Sequence, residues 1–142
     1  MTTSPERQAI AERQLCGLVN GLAQLIAEHV RTRAATLGLT ASQATALREM
    51  SGPMTMRELA ERMTCEPSNT TFVIDKLEKQ GLVERHPHPT DRRAKHLVLT
   101  PEGGELRERL LALLAVESPL SVLSTQEQDV LHGLLERAVI RP

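Results

Sequence analysis

The feature that most constrains the fold is a single change of hydrophobic period between Leu59 and Gly103. After Pro67, Thr70, Val73, Ile74 and Leu77 recur at helical spacing, and Gly81 is placed to stop the pattern in a left-handed conformation. From there the period is extended. Leu82 to His86 and His96 to Thr100 can pair as two short strands, and Pro87, Pro89, Thr90 and Asp91 make their connection irregular. Arg92, Arg93 and Lys95 stand at the tip of that connection, with Arg85 at its base.

Helices are predicted on both sides. Ser4-Pro5-Glu6 combines a capping hydroxyl, a residue whose missing N–H costs nothing at the first helical position, and an acid near the positive dipole end. The stripe Leu15, Leu18, Val19, Leu22, Leu25, Ile26 and Val30 then runs to Gly38. Thr40 with Gln43, Thr55 with Glu58, and Ser124 with Glu127 match capping boxes, in which two residues satisfy each other's free backbone donors. They open segments at Ala44 to Met50, Met56 to Met63, and Val130 to Ala138, while Thr100-Pro101-Glu102 opens another carrying Leu106, Leu110, Leu113 and Leu114. Ser51, Gly52 and Pro53 read as a turn, as do Thr64, Cys65 and Glu66.

The order helix, turn, helix, two-stranded hairpin is the layout of a winged helix-turn-helix. The expected fold class is mainly α with a small β wing (α+β), flanked by long dimerisation helices. Within one domain over 1–142, residues 39–100 form the DNA-binding lobe, and 1–38 with 101–142 the helical dimerisation lobe. The leucine-rich flanking helices carry more apolar surface than one reader segment can cover, which a symmetric dimer resolves. In 142 residues the chain can bury one core, or half of a core completed by a second copy.

Composition narrows the partner. The net charge of −1 argues against a non-specific polyanion binder, and Phe72 is the one aromatic residue, which leaves no stacking platform for single strands. Duplex DNA needs neither. Cys16 and Cys65 lack the spacing of a disulfide framework or a zinc knuckle. There is no apolar run near membrane-spanning length, and the N-terminal MTTSPERQ has no signal-like apolar segment, so the expected location is the cytoplasm, without a membrane partner.

Ser68, Asn69, Phe72, Asp75, Lys76 and Lys79 fall on the face of the reader helix opposite its apolar stripe. The N-terminal residues of such a helix reach base edges in the major groove, so Ser68 and Asn69 come first. Asparagine matches the donor and acceptor pair of adenine, and an apolar ring such as Phe72 can touch a thymine methyl. Phe72 has a competing reading as a core aromatic. Lys76 and Lys79 suit phosphates. Arg92 and Arg93 on the hairpin loop suit a narrow minor groove, and Asp91 is expected to hold one arginine side chain by a charge-assisted bond.

The runs LTASQATAL, RELAERM, PSNTTFVIDKLEKQGLVER and DRRAKHLVLTPEG resemble the MarR family of dimeric bacterial transcription regulators across almost the whole chain. The resemblance implies a homodimer on a pseudo-palindromic operator of double-stranded DNA, usually a repressor released by a small molecule or by oxidation. It places Ser68, Asn69, Thr71, Phe72 and Lys76 on major-groove positions, Arg93 on the wing arginine and Asp91 on its partner. Phe72 stands where many members carry a basic or small polar residue.

For sensing, the resemblance implies an effector cleft lined by the first, second and fifth helices. With no tyrosine or tryptophan to shape it, that cleft would be lined by Met and Leu, and its ligand is not legible. Cys16 is placed like the reactive cysteine of the peroxide-sensing OhrR branch, without the tyrosine hydroxyls that activate the thiolate there; a small buried hydrophobe is its other reading. Cys65 is a weaker thiol candidate. His86, His88 and His96 could approach one another on the hairpin, but no four-ligand shell is visible, and neither metal nor cofactor is expected. Nucleophile-elbow, phosphate-loop and metal-protease motifs are absent, which argues against an enzyme. The rival class is a winged helix that binds protein instead of DNA.

Overall fold

The computed structural model of the chain describes residues 4–63 and 67–140; Cys65 and the Thr64–Glu66 turn lie outside the described residues. Helix α1 (Pro5–Ala35) opens with the Arg7 N–H donating to Ser4 Oγ at 3.3 Å. It closes at Gly38, whose φ of 71° lets the Leu39 N–H turn back to Ala34 O at 3.0 Å. In α2 (Ala41–Glu49) the box is complete: Gln43 N–H donates to Thr40 Oγ1 at 3.1 Å, and the Gln43 side chain accepts from Thr40 N–H at 2.9 Å. The cap of α3 (Met56–Met63) differs. Thr55 Oγ1 accepts from the Glu58 N–H at 3.1 Å, but the Glu58 carboxylate accepts a hydrogen bond from the Thr55 hydroxyl, at 3.2 Å, instead of one from the Thr55 N–H.

Helix α4 (Pro67–Lys79) ends in a Schellman motif at Gly81, φ 75°, with Gly81 N–H bonded to Glu78 O and Leu82 N–H to Leu77 O, both at 3.0 Å. That cap moves the hairpin by one residue from its sequence-based bounds. Leu82 spends its N–H on the helix, so β1 is Val83–Pro87, and Thr100 starts the next helix, so β2 is Lys95–Leu99. The strands run antiparallel, from Val83 opposite Leu99 to Pro87 opposite Lys95. Met54 adds a bridge to β2 by exchanging backbone bonds with Leu97 at 2.7 and 3.3 Å. A lone bridging residue has no period, and the sequence shows only the turn before it.

After the hairpin come α5 (Pro101–Ala115), a 3-10 turn (Pro119–Val122) and α6 (Thr125–Val139), the last opened by the complete Ser124–Glu127 box. The chain divides into two compact units, Ala27–Val116 and Met1–Ile26 with Glu117–Pro142. The larger unit thus extends past the 39–100 bounds of the expected reader lobe. It takes in the end of α1 and all of α5 because specific bonds tie them there: His29 Nε2 donates to Leu114 O at 2.8 Å, and Arg107 donates to Leu47 O and Arg48 O, both at 2.9 Å. Its core is Leu47, Met50, Met54, Leu59, Ile74, Leu77, Leu97 and Leu110, all fully buried. Each such side chain contributes about 1.5–3 kcal/mol relative to exposure.

The smaller unit has the opposite character. Among the described residues α6 buries none, and Leu15, Leu18, Val19 and Leu25 of α1 are exposed, as are Val130, Leu134, Val139 and Ile140 near the C-terminus.

Candidate nucleic-acid interface

Reader helix α4 is held by its apolar stripe. Thr70, Val73, Ile74 and Leu77 are buried, and α2 and α3 pack on α4. At the far end the buried Gln43 of α2 donates from Nε2 to Gln80 Oε1 at 3.2 Å, which ties the start of α2 to the end of the reader. The opposite face projects Asn69 and Lys76 into solvent, with Thr71 half-buried. Ser68 lies in the first turn of α4, and its side chain is outside the described residues. Phe72 is 61% exposed, which removes the core-aromatic reading. Lys76 Nζ sits 4.5 Å from its ring centroid, so the cation covers part of the exposed ring.

The wing tip is organised through its backbone. His88 Nδ1 accepts the N–H groups of Thr90, at 3.1 Å, and Asp91, at 3.0 Å, and its ring lies 4.4 Å from that of His96. Asp91 Oδ1 accepts the Arg93 N–H at 2.9 Å. This corrects the expected brace: Asp91 holds the peptide of Arg93 and not an arginine side chain. An aspartate reaches the N–H two residues on with little loss of freedom, while fixing a long guanidinium in solvent costs rotamer entropy. Among the described residues no carboxylate pairs with Arg92, Arg93 or Lys95. All three side chains are exposed.

The histidines separate into different roles. His86 faces His96 in the strand register and bonds Glu84 at 2.9 Å, whereas His88 lies beyond β1 and spends its Nδ1 on the turn. Cys16 is exposed on α1.

Sequence reasoning missed three positioning residues. Arg85 of β1 donates from Nε to Glu78 Oε2 at 3.1 Å and from Nη2 to Asp75 Oδ1, so the wing is tied to the reader helix. Two acids at i, i+3 on the helix expected to read DNA were the available signal. Arg107 satisfies the last carbonyls of α2, as described above, and nothing local marks it. Gly103 is the third. Thr100 Oγ1 donates to Gly81 O at 2.7 Å and accepts the Gly103 N–H at 3.0 Å, and this close approach would put a Cβ on Gly103 only 2.0 Å from Leu82 O. Paired glycines just inside a helix start could have indicated it.

Residues 39–95 match the model of the MarR family. Over 91 residues the chain is 35% identical to YkoM of Bacillus subtilis, an uncharacterized HTH-type transcriptional regulator, covering 63% of this chain and 59% of YkoM. Over 86 residues it is 34% identical to the transcriptional repressor MprA of Escherichia coli, covering 59% of this chain and 49% of MprA. The chain therefore spans only about half of the length of these relatives. A cysteine-to-serine mutant of MarR from E. coli, solved in complex with operator DNA, superposes with a TM-score of 0.74 at 23% identity, over 97% of this chain and 100% of that one. At that identity the likeness establishes the fold. The family match falls on the segment that carries the buried stripe, the reader face and the basic wing, so residues 39–95 form a winged helix-turn-helix similar to that of the MarR family.

Proposed function

We propose that this chain binds a pseudo-palindromic operator as a homodimer and acts there as a repressor released by a small-molecule effector. The observation that carries the DNA reading is the exposure of Asn69, Phe72 and Lys76 on α4 beside wing cations that, among the described residues, no carboxylate neutralises. In this reading Ser68, Asn69, Thr71 and Phe72 face the major groove and Lys76 a phosphate, while Arg93 and Arg92 enter the minor groove and Lys95 supports binding from the base of the wing. Asp91 shapes the wing that presents them. Residues 39–100 serve as the reader lobe, and 1–38 with 101–142 as the dimerisation lobe.

The dimer is supported by the large apolar side chains that α1 and α6 leave in solvent, Leu15, Leu18, Val19 and Leu25 on the one and Val130, Leu134 and Val139 on the other. The repressor and effector parts rest on the family. Among the described residues no helix is long and apolar enough to cross a membrane, which agrees with a cytoplasmic regulator.

Selection from a random-sequence duplex pool, followed by salt titration, tests the reading. An inverted-repeat consensus and a steep fall of affinity with salt are expected. Arg93→Ala should weaken all duplexes, and Asn69→Ala should change preference at one symmetric pair of positions. A flat salt response without consensus supports the protein-binding class instead.

Control through Cys16 is a second reading, favoured by the exposure of its thiol. Hydroperoxide titration of DNA binding tests it, and a response that persists in Cys16→Ser excludes it.

A further inference from the structure

We infer that the groove between the first turn of α3 and the wing is a seat for one backbone phosphate of duplex DNA, with Arg57 and Lys95 as its ligands; this rests on the DNA-binding reading above. The groove's lining includes Thr55, Arg57, Arg85, Arg93, Lys95 and Leu97, so among the described residues four cations and no carboxylate line it. In a chain of net charge −1 such a concentration of one sign is local.

The neighbouring acids are already engaged. Asp75 and Glu78 bind Arg85, which leaves that guanidinium neutralised and part of the wall. Asp91 is turned to the Arg93 N–H, and Glu58 to the Thr55 hydroxyl. Glu61 lies 3.8 Å from Arg57, but the side chains are 72% and 90% exposed, so water screens that pair and a phosphate displaces it at little cost. Arg93 and Lys95 have no carboxylate partner among the described residues.

Arg57, held only by a screened pair, and Lys95 converge on one groove and match the charge and acceptor oxygens of a phosphodiester, and the forked guanidinium of Arg57 can bind it through two oxygens. The positive end of α3 adds to the same field. Placement agrees, because α3 is the first helix of the helix-turn-helix, the one that crosses the DNA backbone. A contact there positions the protein on DNA without reading sequence. The wing would thus be fixed by a phosphate at its root while Arg93 and Arg92 extend toward the groove.

The test uses the duplex recovered by the wild-type protein from a random-sequence pool, together with a shuffled duplex. Arg57→Ala and Arg57→Gln change a side chain that is 90% exposed, so both variants retain the fold. Both should weaken binding to the two duplexes by the same factor, roughly tenfold. The slope of log affinity against log salt should fall by about 0.9 for each seat engaged. Methylphosphonate scanning of the duplex should lose one sensitive position per half-site. A salt slope and scanning pattern identical to wild type in Arg57→Gln overturn the seat alone. Failure of the wild-type protein to recover or bind any duplex overturns the DNA-binding reading and the seat with it.

Discussion

Arg85, on the first strand of the wing, donates from Nε to Glu78 of the reader helix across 3.1 Å, and the other arm of the same guanidinium reaches Asp75 one turn earlier. One side chain thereby sets the wing against α4 and offsets one of the two negative charges on the helix proposed to read DNA. Its replacement should separate affinity from stability. The pairs are 31–50% exposed, so each contributes no more than about 1 kcal/mol to folding. Arg85→Ala should therefore lower the melting temperature by only a few degrees. DNA affinity should fall by roughly tenfold, equivalent to about 1.4 kcal/mol. Arg85→Lys should restore little, because an ammonium cannot span both acids as a planar fork does. Thermal unfolding and fluorescence anisotropy on one preparation check both halves.

Asp91 offers a test in which geometry and charge oppose each other. Removing a carboxylate beside DNA favours binding, but losing the acceptor for the Arg93 N–H loosens the wing tip. Asp91→Asn keeps an oxygen acceptor and should bind at least as well as wild type. Asp91→Ala should bind about fivefold more weakly than Asp91→Asn, the value of one net hydrogen bond. Equal affinities for the two variants contradict the backbone role.

Neighbouring glycines in α5 should respond with opposite signs. At Gly103 a Cβ would lie 2.0 Å from Leu82 O, a backbone atom that cannot swing aside, so Gly103→Ala should cost at least about 1–3 kcal/mol. At Gly104 nothing lies within 4 Å of the added carbon, so Gly104→Ala should gain roughly 0.5–1 kcal/mol from helix propensity. Urea denaturation midpoints of the two variants against wild type measure both.

Glu127 gives a pH prediction with a definite direction. Its carboxylate accepts the Ser124 N–H at 2.9 Å while its own N–H bonds Ser124 Oγ at 3.1 Å. The Ser124 backbone bond first, and the Ser124 side chain second, hold the Glu127 pKa below the usual carboxylate range, against a small opposing effect of desolvation. A depressed folded pKa means that the stabilisation is fully present above the unfolded value and fades as pH falls through the folded one. The cap at the start of α6 should therefore loosen only on the acidic side. Ser124→Ala removes the hydroxyl and keeps the backbone donor, so Glu127 should titrate at higher pH than in wild type yet below an unstructured glutamate. Carbon-detected NMR titration of the Glu127 carboxyl reads this directly.

Features legible in the sequence are those whose causes lie within a few residues. The stripe of Thr70, Val73, Ile74 and Leu77 is the buried face of α4, Gly38 and Gly81 take the positive φ of helix ends, and the boxes at Thr40 and Ser124 form with both bonds. Even the shift of β1 is local, since the cap of α4 claims the Leu82 N–H. The illegible features involve partners distant in sequence. Arg107 and Leu47 are 60 residues apart, and the Met54 bridge reaches Leu97 in the same way.

By itself, then, the order of residues determined the helices, their stops, the hairpin and the face that α4 turns outward, because backbone propensity, capping and hydrophobic period act at short range. Tertiary structure decided which charges remain free. Asp75, Glu78 and Arg85 read as three separate charges but form one ion-paired cluster, and Asp91 spends its carboxylate on a peptide, which leaves Arg57, Arg93 and Lys95 to define the positive groove. The reason is that charge interaction falls with distance in space, and only the folded chain sets those distances.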